Sequence, residues 1–592
     1  MYANVVVLTY QPPEIKSYTY EVPKNLEGKI KIGQLVEVPF GKRTPFGVLL
    51  ETGNKKPETI KVKPITSIVF STPILFPYQV KLLEWLSFYY RAPMVNCLEA
   101  ILPELPSSHL IVHSSQQIAN KAVNRQPSTV NQTLVLVPNI NRIPETLAQF
   151  PKAKDYIIYH SGLTKSQKFA AWQRILLGQV DFIFGSRSAI FLPCPNLSKV
   201  IIFDEHDNAY KDERSPYFDT LTVVEKIHQL TGIKIEIIDS APKITTYLNH
   251  QKDLKLTRFL KIKTRGVSMA AEKMTGNFSP ISQTLAVLLQ KNYQRGGRSL
   301  LFLNKKVESG QLSCRDCRYQ TFARVKPQTC PNCASQNLWF YSLNINILAS
   351  VVRNFVPQAH INLIAEGVHQ ELFELLESDR PRSRKPQSRR PVTRDQLPAI
   401  DIATASIFYA PVLQRYEIVA HISLDSAVSV TDFTTGEKVF SQITNLRKLT
   451  KPNGTLIIQT SNIEAPYLRD AIEDNFKTYF ERQVAEREAL NFPPRALFVK
   501  LTLKIKSSQK TEQVADETAR LLKEQNKNPN IFVLGPYKPT LWRPYPVYNI
   551  ILKRKLDSYD LPSREKAIRE LLPLLENLAR GWQITVEPDT LN

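Results

Sequence analysis

The sequence predicts a multidomain protein: a β-rich N-terminal domain, two α/β stretches with parallel sheets, a small cysteine-bearing insertion and an α+β C-terminal domain. Three observations predict it. The 592 residues are enough for roughly three to five domains of ordinary size. Apolar residues change their pattern along the chain, from short strands broken by Pro, Gly and Lys to continuous apolar runs alternating with helical stretches. Four of the six cysteines lie within one short segment, which sets that segment apart from its surroundings.

The first hundred residues carry short β-rich runs at 3–10, 18–22, 34–39 and 46–51. A helical stripe of Val80, Leu83, Leu86 and Tyr90 follows, closed by Pro103 and Pro106. From Thr133 the apolar runs at 134–137, 156–159, 182–184, 200–203 and 233–238 read as buried strands of a parallel sheet. A second α/β stretch runs through 418–424 and 455–460. The last part alternates strands at 498–505, 531–534 and 547–552 with a helix near 511–525. No internal repeat is present.

Lys and Arg outnumber Asp and Glu by 77 to 54, for a net charge of +23. The stretch Arg380–Arg394 holds seven of these charges and no acid, yet +16 remains without it. Such a balance suits a phosphate-rich partner such as nucleic acid, although a solvated basic surface would look the same. Residues 378–396 read as a disordered Arg/Pro/Ser linker. No apolar run approaches the roughly 18 residues of a membrane span, and the N-terminus lacks the basic opening of a secretory signal. The expectation is a cytoplasmic protein with no membrane partner.

Cys314-x2-Cys317, twelve residues, then Cys330-x2-Cys333 is zinc-ribbon spacing, two knuckles offering four thiolates to one tetrahedral Zn²⁺. Cys97 and Cys194 read as small core residues.

Ordered motifs then carry a resemblance over nearly the whole chain. Val6-Val7-Leu8, Tyr18-Thr19-Tyr20-Glu21-Val22-Pro23, Val36-Glu37-Val38-Pro39-Phe40-Gly41-Lys42-Arg43, Phe46-Gly47-Val48 and Phe88-Tyr89-Tyr90-Arg91-Ala92-Pro93 resemble the 3′-end DNA-binding domain of the primosomal protein N′ (PriA) family of replication-restart helicases. Gly185-Ser186-Arg187-Ser188 and Ile201-Ile202-Phe203-Asp204-Glu205-His206 resemble the first helicase lobe of that family. Gln442-Ile443-Thr444-Asn445-Leu446-Arg447-Lys448-Leu449 aligns with its arginine-finger motif, and the segment from Tyr479 to Lys553 with its C-terminal domain. The resemblance implies two RecA-like lobes and the following layout: 1–107 3′-end DNA-binding head, 108–245 degenerate lobe 1, 246–311 start of lobe 2, 312–340 zinc module, 341–377 lobe 2 continued, 378–396 linker, 397–465 remainder of lobe 2, 466–592 C-terminal domain.

The same resemblance implies site residues. In the head the pocket for a 3′ nucleotide falls on Tyr18, Thr19, Gly41, Lys42 and Lys63. The aromatic would stack on a base, the glycine would admit close backbone approach, and the lysine would contact phosphate. Thr19 stands where the family has an acid, so the charge-assisted bond to the sugar hydroxyl is missing. Tyr18 and Tyr20 also fit as ordinary strand residues. In the C-terminal segment, Arg543, Tyr545, Tyr548 and Lys553 fit a single-strand groove or a core equally well. Asp204 and Glu205 stand as a shortened Walker B pair, the carboxylates that hold Mg²⁺ and orient water in an intact motor. The family has eight cysteines and two zinc ions. Here only the outer pairs remain, and these share one metal.

Three losses set the chain apart. A phosphate loop needs Gly-x4-Gly-Lys-Ser/Thr. No glycine lies between Gly53 and Gly162, and Ser114–Lys121 stands in the place of the loop. Both arginines of the finger motif fall on Leu446 and Leu449, where an arginine is worth roughly 10³–10⁵ in rate. The coupling motif of the second lobe has become Ala403-Thr404-Ala405-Ser406. The expectation is a protein that binds DNA at forks, D-loops or single strands and docks replication-restart partners, without ATP or Mg²⁺. An active 3′→5′ helicase with a diverged nucleotide loop and a primosome assembly scaffold stay open as alternatives.

Overall fold

The structure, a computed structural model, describes residues 1–9, 15–54, 62–103, 131–257, 262–304, 310–323, 326–341, 343–365, 398–410, 415–425, 432–505, 508–539, 545–579 and 581–592. The Ser114–Lys121 stretch, Arg543 and the basic run 380–394 lie outside the described residues.

In the N-terminal domain five strands, β1 (Tyr2–Val7), β2 (Tyr18–Glu21), β3 (Leu35–Glu37), β4 (Phe46–Gly53) and β5 (Ser67–Ile68), pair antiparallel in the order β2-β1-β4-β3-β5. Alternation places Val5, Val7, Tyr20, Val36 and Leu49 in one small core. The helix Pro77–Tyr90 follows the predicted stripe. Proline stands at its first turn, where no backbone donor is needed, and Val80, Leu83, Leu86 and Tyr90 are buried.

Lobe 1 is an all-parallel sheet of β6 (Gln132–Leu136), β7 (Tyr156–Tyr159), β8 (Phe182–Gly185), β9 (Leu197–Phe203), β10 (Lys234–Asp239) and β11 (Leu254–Leu256). Its order is β11-β10-β9-β6-β8-β7. Continuous apolar strands are buried on both faces, as a parallel sheet requires. Lobe 2 begins with β12 (Lys263–Ser268) and β13 (Ser299–Phe302). The antiparallel ribbon β14 (Gly310–Cys314), β15 (Gln320–Ala323) and β16 (Leu338–Tyr341) is inserted there. Lobe 2 then resumes with β17 (Ile361–Ile364), β18 (Ile400–Ala403), β19 (Tyr416–His421) and β20 (Thr450–Thr460), in the parallel order β12-β20-β19-β13-β18-β17. Separate clusters cover its two faces. The helices Pro466–Glu473 and Phe476–Leu490 supply Leu468, Ala471, Tyr479 and Phe480 to one of them. The two parallel sheets are RecA-like lobes.

The C-terminal domain is an antiparallel sheet of β21 (Ala496–Lys504), β22 (Ile531–Tyr537), β23 (Val547–Lys555) and β24 (Trp582–Val586), ordered β22-β23-β21-β24. Helices Ser508–Gln525 and Leu561–Glu576 pack on it.

One hydrophobic cluster welds the head, lobe 1 and the C-terminal domain together. Leu83, Leu86 and Tyr89 of the first helix pack among Val223 and Ile227 of lobe 1 and Ile568 and Leu571 of the last helix. Buried polar contacts fix the register of this weld. Trp85 Nε1 and Lys226 Nζ both donate to Glu565 Oε1 at 2.8 Å, and Tyr89 OH donates to Glu587 Oε2 at 2.9 Å. Arg564, 3% exposed, bridges Glu225 of lobe 1 and Glu587. Removing one member of a buried ion network strands the others without water. Arg564→Met is expected to cost about 3–5 kcal/mol, read as a lower urea midpoint, with the head unfolding together with lobe 1.

Candidate functional sites in the head, the cysteine ribbon and the interlobe cleft

In the head, the hairpin Phe40–Arg43 closes on itself through Phe40 N–H to Arg43 O (2.8 Å) and the reciprocal bond (3.1 Å). Gly41 sits within it at φ +61° with open space beyond its Cα, so glycine is required there by backbone conformation. The ring of Phe40 meets Tyr18 edge-on, centroids 5.1 Å apart. Tyr18, Phe40 and Gly41 thus come together, with Lys42 exposed beside them. Lys63 is exposed and held by its main chain, its carbonyl accepting from Glu21 N–H at 2.9 Å. The Thr19 hydroxyl is not idle. It donates to Asn4 Oδ1 (2.9 Å), and Asn4 Nδ2 in turn donates to Glu51 Oε2 (3.2 Å). This row across β2, β1 and β4 was not legible in the sequence, because it depends on strand register.

In the ribbon, Cys314 Sγ lies 3.7 Å from Cys333 Sγ and Cys317 Sγ 3.6 Å from Cys330 Sγ, and all four sulfurs fall within 4.8 Å of one another. Disulfide sulfurs would be about 2.05 Å apart. Four thiolates at about 2.3 Å around a tetrahedral ion would be separated by about 3.8 Å. The donor set and its spacing therefore fit a metal ion such as zinc. The residue after each knuckle, Arg318 at φ +59° and Ala334 at φ +58°, turns left-handed, which folds each Cys-x2-Cys loop back on itself. Asp316 ties the two knuckles together by accepting from Ser335 Oγ and from Asn337 Nδ2. Cys97 and Cys194 are buried core residues, and burial pushes the Cys194 thiol up to about 12.

In the cleft between the lobes, Asp204 ends β9 at φ +49°. Its Oδ1 accepts from Lys448 Nζ at 2.8 Å, and its Oδ2 lies 3.7 Å from Arg142 Nη2. Lys448 belongs to lobe 2, at the end of the helix Thr435–Lys448. Burial would raise the Asp204 carboxyl, but Lys448 and His206 outweigh it and hold it below the usual range. Glu205, 2% exposed, meets Lys243 Nζ at 3.1 Å. Burial still raises its carboxyl, and its second oxygen has no hydrogen-bond partner among the described residues. His206 Nδ1 lies 2.7 Å from Asp239 Oδ1, and its Nε2 lies 3.3 Å from Asn445 Nδ2 of lobe 2. Tyr409 of lobe 2 donates to Asp207 Oδ2 at 2.8 Å. Asn141 of lobe 1 donates to the Tyr409 carbonyl at 2.7 Å.

The finger-motif positions face elsewhere. Leu446 and Leu449 lie in the lobe 2 core. Arg447 turns to the end of the helix Pro466–Glu473, donating to the carbonyls of Ala471 and Ile472 and to Asp474 Oδ1. Sequence reasoning missed Lys448 and Lys243. The signal for Lys448 was the polar stripe Ser441, Asn445, Lys448 at helical spacing. Asp204, His206 and Asp239 stand close enough to share an ion, with the Lys448 ammonium and the Arg142 guanidinium set against the Asp204 carboxylate. The cavity beside Asp204, lined by Arg142, Tyr409, Asn445 and Lys448, has a volume of about 20 Å³, room for a water.

In the C-terminal sheet, Tyr548 is buried and Tyr545 exposed. Lys553 donates to Leu490 O at 2.6 Å and lies over the Phe492 ring.

Comparison with known proteins matches residues 6–103 to the 3′ DNA-binding domain (3′BD) of PriA. The replication restart protein PriA of Bacillus subtilis (strain 168) is 24% identical over 558 residues, covering 85% of this chain and 67% of that protein. The corresponding protein of Synechocystis sp. is 25% identical over 494 residues, covering 74% of this chain and 56% of its own. The chain thus carries the PriA 3′ DNA-binding domain and is similar to PriA proteins over most of its length. It spans about three fifths of the length of these relatives. Among solved structures, RecG bound to a three-way DNA junction superposes at a TM-score of 0.33 with 12% identity, covering 69% of this chain and 52% of that one. Among the described residues no helix is long and apolar enough to cross a membrane.

Two outcomes follow for this PriA-like chain. The purified protein is expected to carry one metal ion per chain by elemental analysis, and Cys330→Ser to lose it. His206 and His250 both titrate above the ordinary 6.5. Burial works against the charge of each, but Asp239 raises the first, and Glu225 and Asp253 the second. Their stabilisation is complete below about pH 6.5 and fades as pH rises through the raised values. The fall of the unfolding midpoint on the alkaline side is therefore expected to flatten in a His206→Gln/His250→Gln variant.

Proposed function

We propose that this member of the PriA family is a DNA-binding protein of replication restart that recognises forked or D-loop DNA through its head and does not hydrolyse ATP. One observation carries the reading. The carboxylate that would hold Mg²⁺, Asp204, is answered by Lys448 of the opposite lobe, from the motif in which the family's arginines have become core leucines. A partly buried carboxylate paired with an ammonium has its charge satisfied already, and admitting a metal would require breaking that pair. The missing glycines at 114–121 support the same conclusion from the sequence side.

In the head, Tyr18 with Phe40 offers an aromatic face for a terminal base, and Lys42 and Lys63 are exposed for phosphate. The Thr19–Asn4–Glu51 row offers neutral hydrogen bonding where the family has a carboxylate, so selection of a free 3′ hydroxyl is weaker than general DNA binding. Zinc in the four-cysteine site holds the ribbon as a surface for restart partners, and the protein acts on the cytoplasmic chromosome.

Anisotropy with a labelled fork is expected to show binding that weakens with salt and drops further with Lys63→Ala. Forked DNA is expected to elicit no ATP turnover above that of an Asp204→Ala variant. Turnover that this variant abolishes would restore the helicase reading. Fork binding indifferent to salt and to Lys63→Ala would leave a protein scaffold.

A further inference from the structure

The helix Thr435–Lys448 carries Asn445 and Lys448 into the interlobe cleft at its far end, and its near end is held by a different part of the chain. Val439, Phe440, Ile443 and Leu446 seat the helix in the core of lobe 2, so helix and lobe move as one body. Its 14 residues span about 21 Å, a stiff arm between the two ends.

Residues 588–592 lie across the near end. Asp432 Oδ2 accepts from Thr590 Oγ1 (2.5 Å) and Leu591 N–H (2.8 Å). Thr434 occupies the N-cap position of the helix, where a threonine ordinarily accepts from a backbone N–H of the first turn. Its hydroxyl makes no such cap and donates instead to the Asp589 carbonyl at 2.9 Å. Lys438 Nζ donates to the same carbonyl at 3.2 Å. The Leu591 side chain joins Phe433 of lobe 2 in the apolar cluster around Phe498 and Ile551 of the C-terminal sheet. At its root the segment is fixed to the weld of head, lobe 1 and C-terminal domain. Glu587 accepts from Tyr89 OH and Tyr559 OH, each at 2.9 Å, and from Arg564 Nη1 at 3.0 Å.

We propose that residues 588–592 are a strap from the welded body to lobe 2, and that the strap keeps Lys448 against Asp204 by pinning the opposite end of the helix. Both contacts act on one rigid element. With the strap fastened, lobe 2 has a fixed position and the pairs Lys448–Asp204 and Asn445–His206 are made. The other anchor of the helix start is Arg487, which reaches Phe433 O and Glu437. Arg487 belongs to the helix Phe476–Leu490, which packs on lobe 2, so it travels with the lobe and cannot replace the strap. With the strap released, the cleft pairs have to hold the lobes together and open more often. The device sets lobe position, whatever the cleft or the head binds.

Hydrogen exchange of the full chain, without DNA or nucleotide, reads both ends of the helix at once. Asp432→Ala is expected to speed amide exchange roughly tenfold at 589–592 and also at the cleft, residues 205–208 and 445–449, the opening that loss of one charged hydrogen bond permits. Coupling is reciprocal, so Lys448→Ala is expected to loosen 589–592 by the same factor by which Asp432→Ala loosens the cleft. Thr434→Val removes only the donor to the Asp589 carbonyl and serves where Asp432→Ala does not fold. It is expected to give a smaller rise at the same places. A rise confined to 589–592 and the helix start, with the cleft unchanged, would overturn the strap, as would full protection of 589–592 in Lys448→Ala.

Discussion

Asp204 ends a buried strand, where its charge has little water and must be met by another charge. In a nucleotide-driven motor a metal meets it. Here the partner is Lys448 of the other lobe, and much of the architecture depends on that contact. It places the end of the helix Thr435–Lys448 against β9 and brings Asn445 to His206. Nearby, Tyr409 reaches Asp207. Glu205 follows the same logic within lobe 1, with Lys243 supplying the cation. Asp204 thereby becomes part of a seam between the lobes, while Glu205 is neutralised inside lobe 1.

That seam joins a second one. Head, lobe 1 and C-terminal domain share a continuous apolar cluster, with Arg564 and Glu565 placed where three domains meet. Buried ion pairs add little net stability over well-packed apolar groups. Their effect is geometric, since a charge without its partner in such a place is costly, and only one docking of the domains satisfies all of them.

Much of the fold was legible because it rests on local periodicity. The continuous apolar runs that became β6 to β10 and the 3.6-period stripe of the first helix are patterns that a solvent-facing segment does not keep. The four cysteines were legible for a related reason, since two tight knuckles need fixed short spacing. The lysines at the cleft were not. Lys448 is one basic residue among many on a polar helix face, and only the approach of the lobes gives it Asp204. The Thr19–Asn4–Glu51 row was hidden likewise, because register between strands distant in sequence places three short polar side chains side by side.

By itself the sequence determined the domain types, the metal-ligand set and the loss of the glycines and arginines on which nucleotide chemistry depends. Each is a property of residues close together in the chain. Tertiary structure decided which residues meet the carboxylates of the cleft. Electrostatic pairing in a buried cleft joins residues more than two hundred positions apart, and nothing in the local pattern of either partner encodes the other.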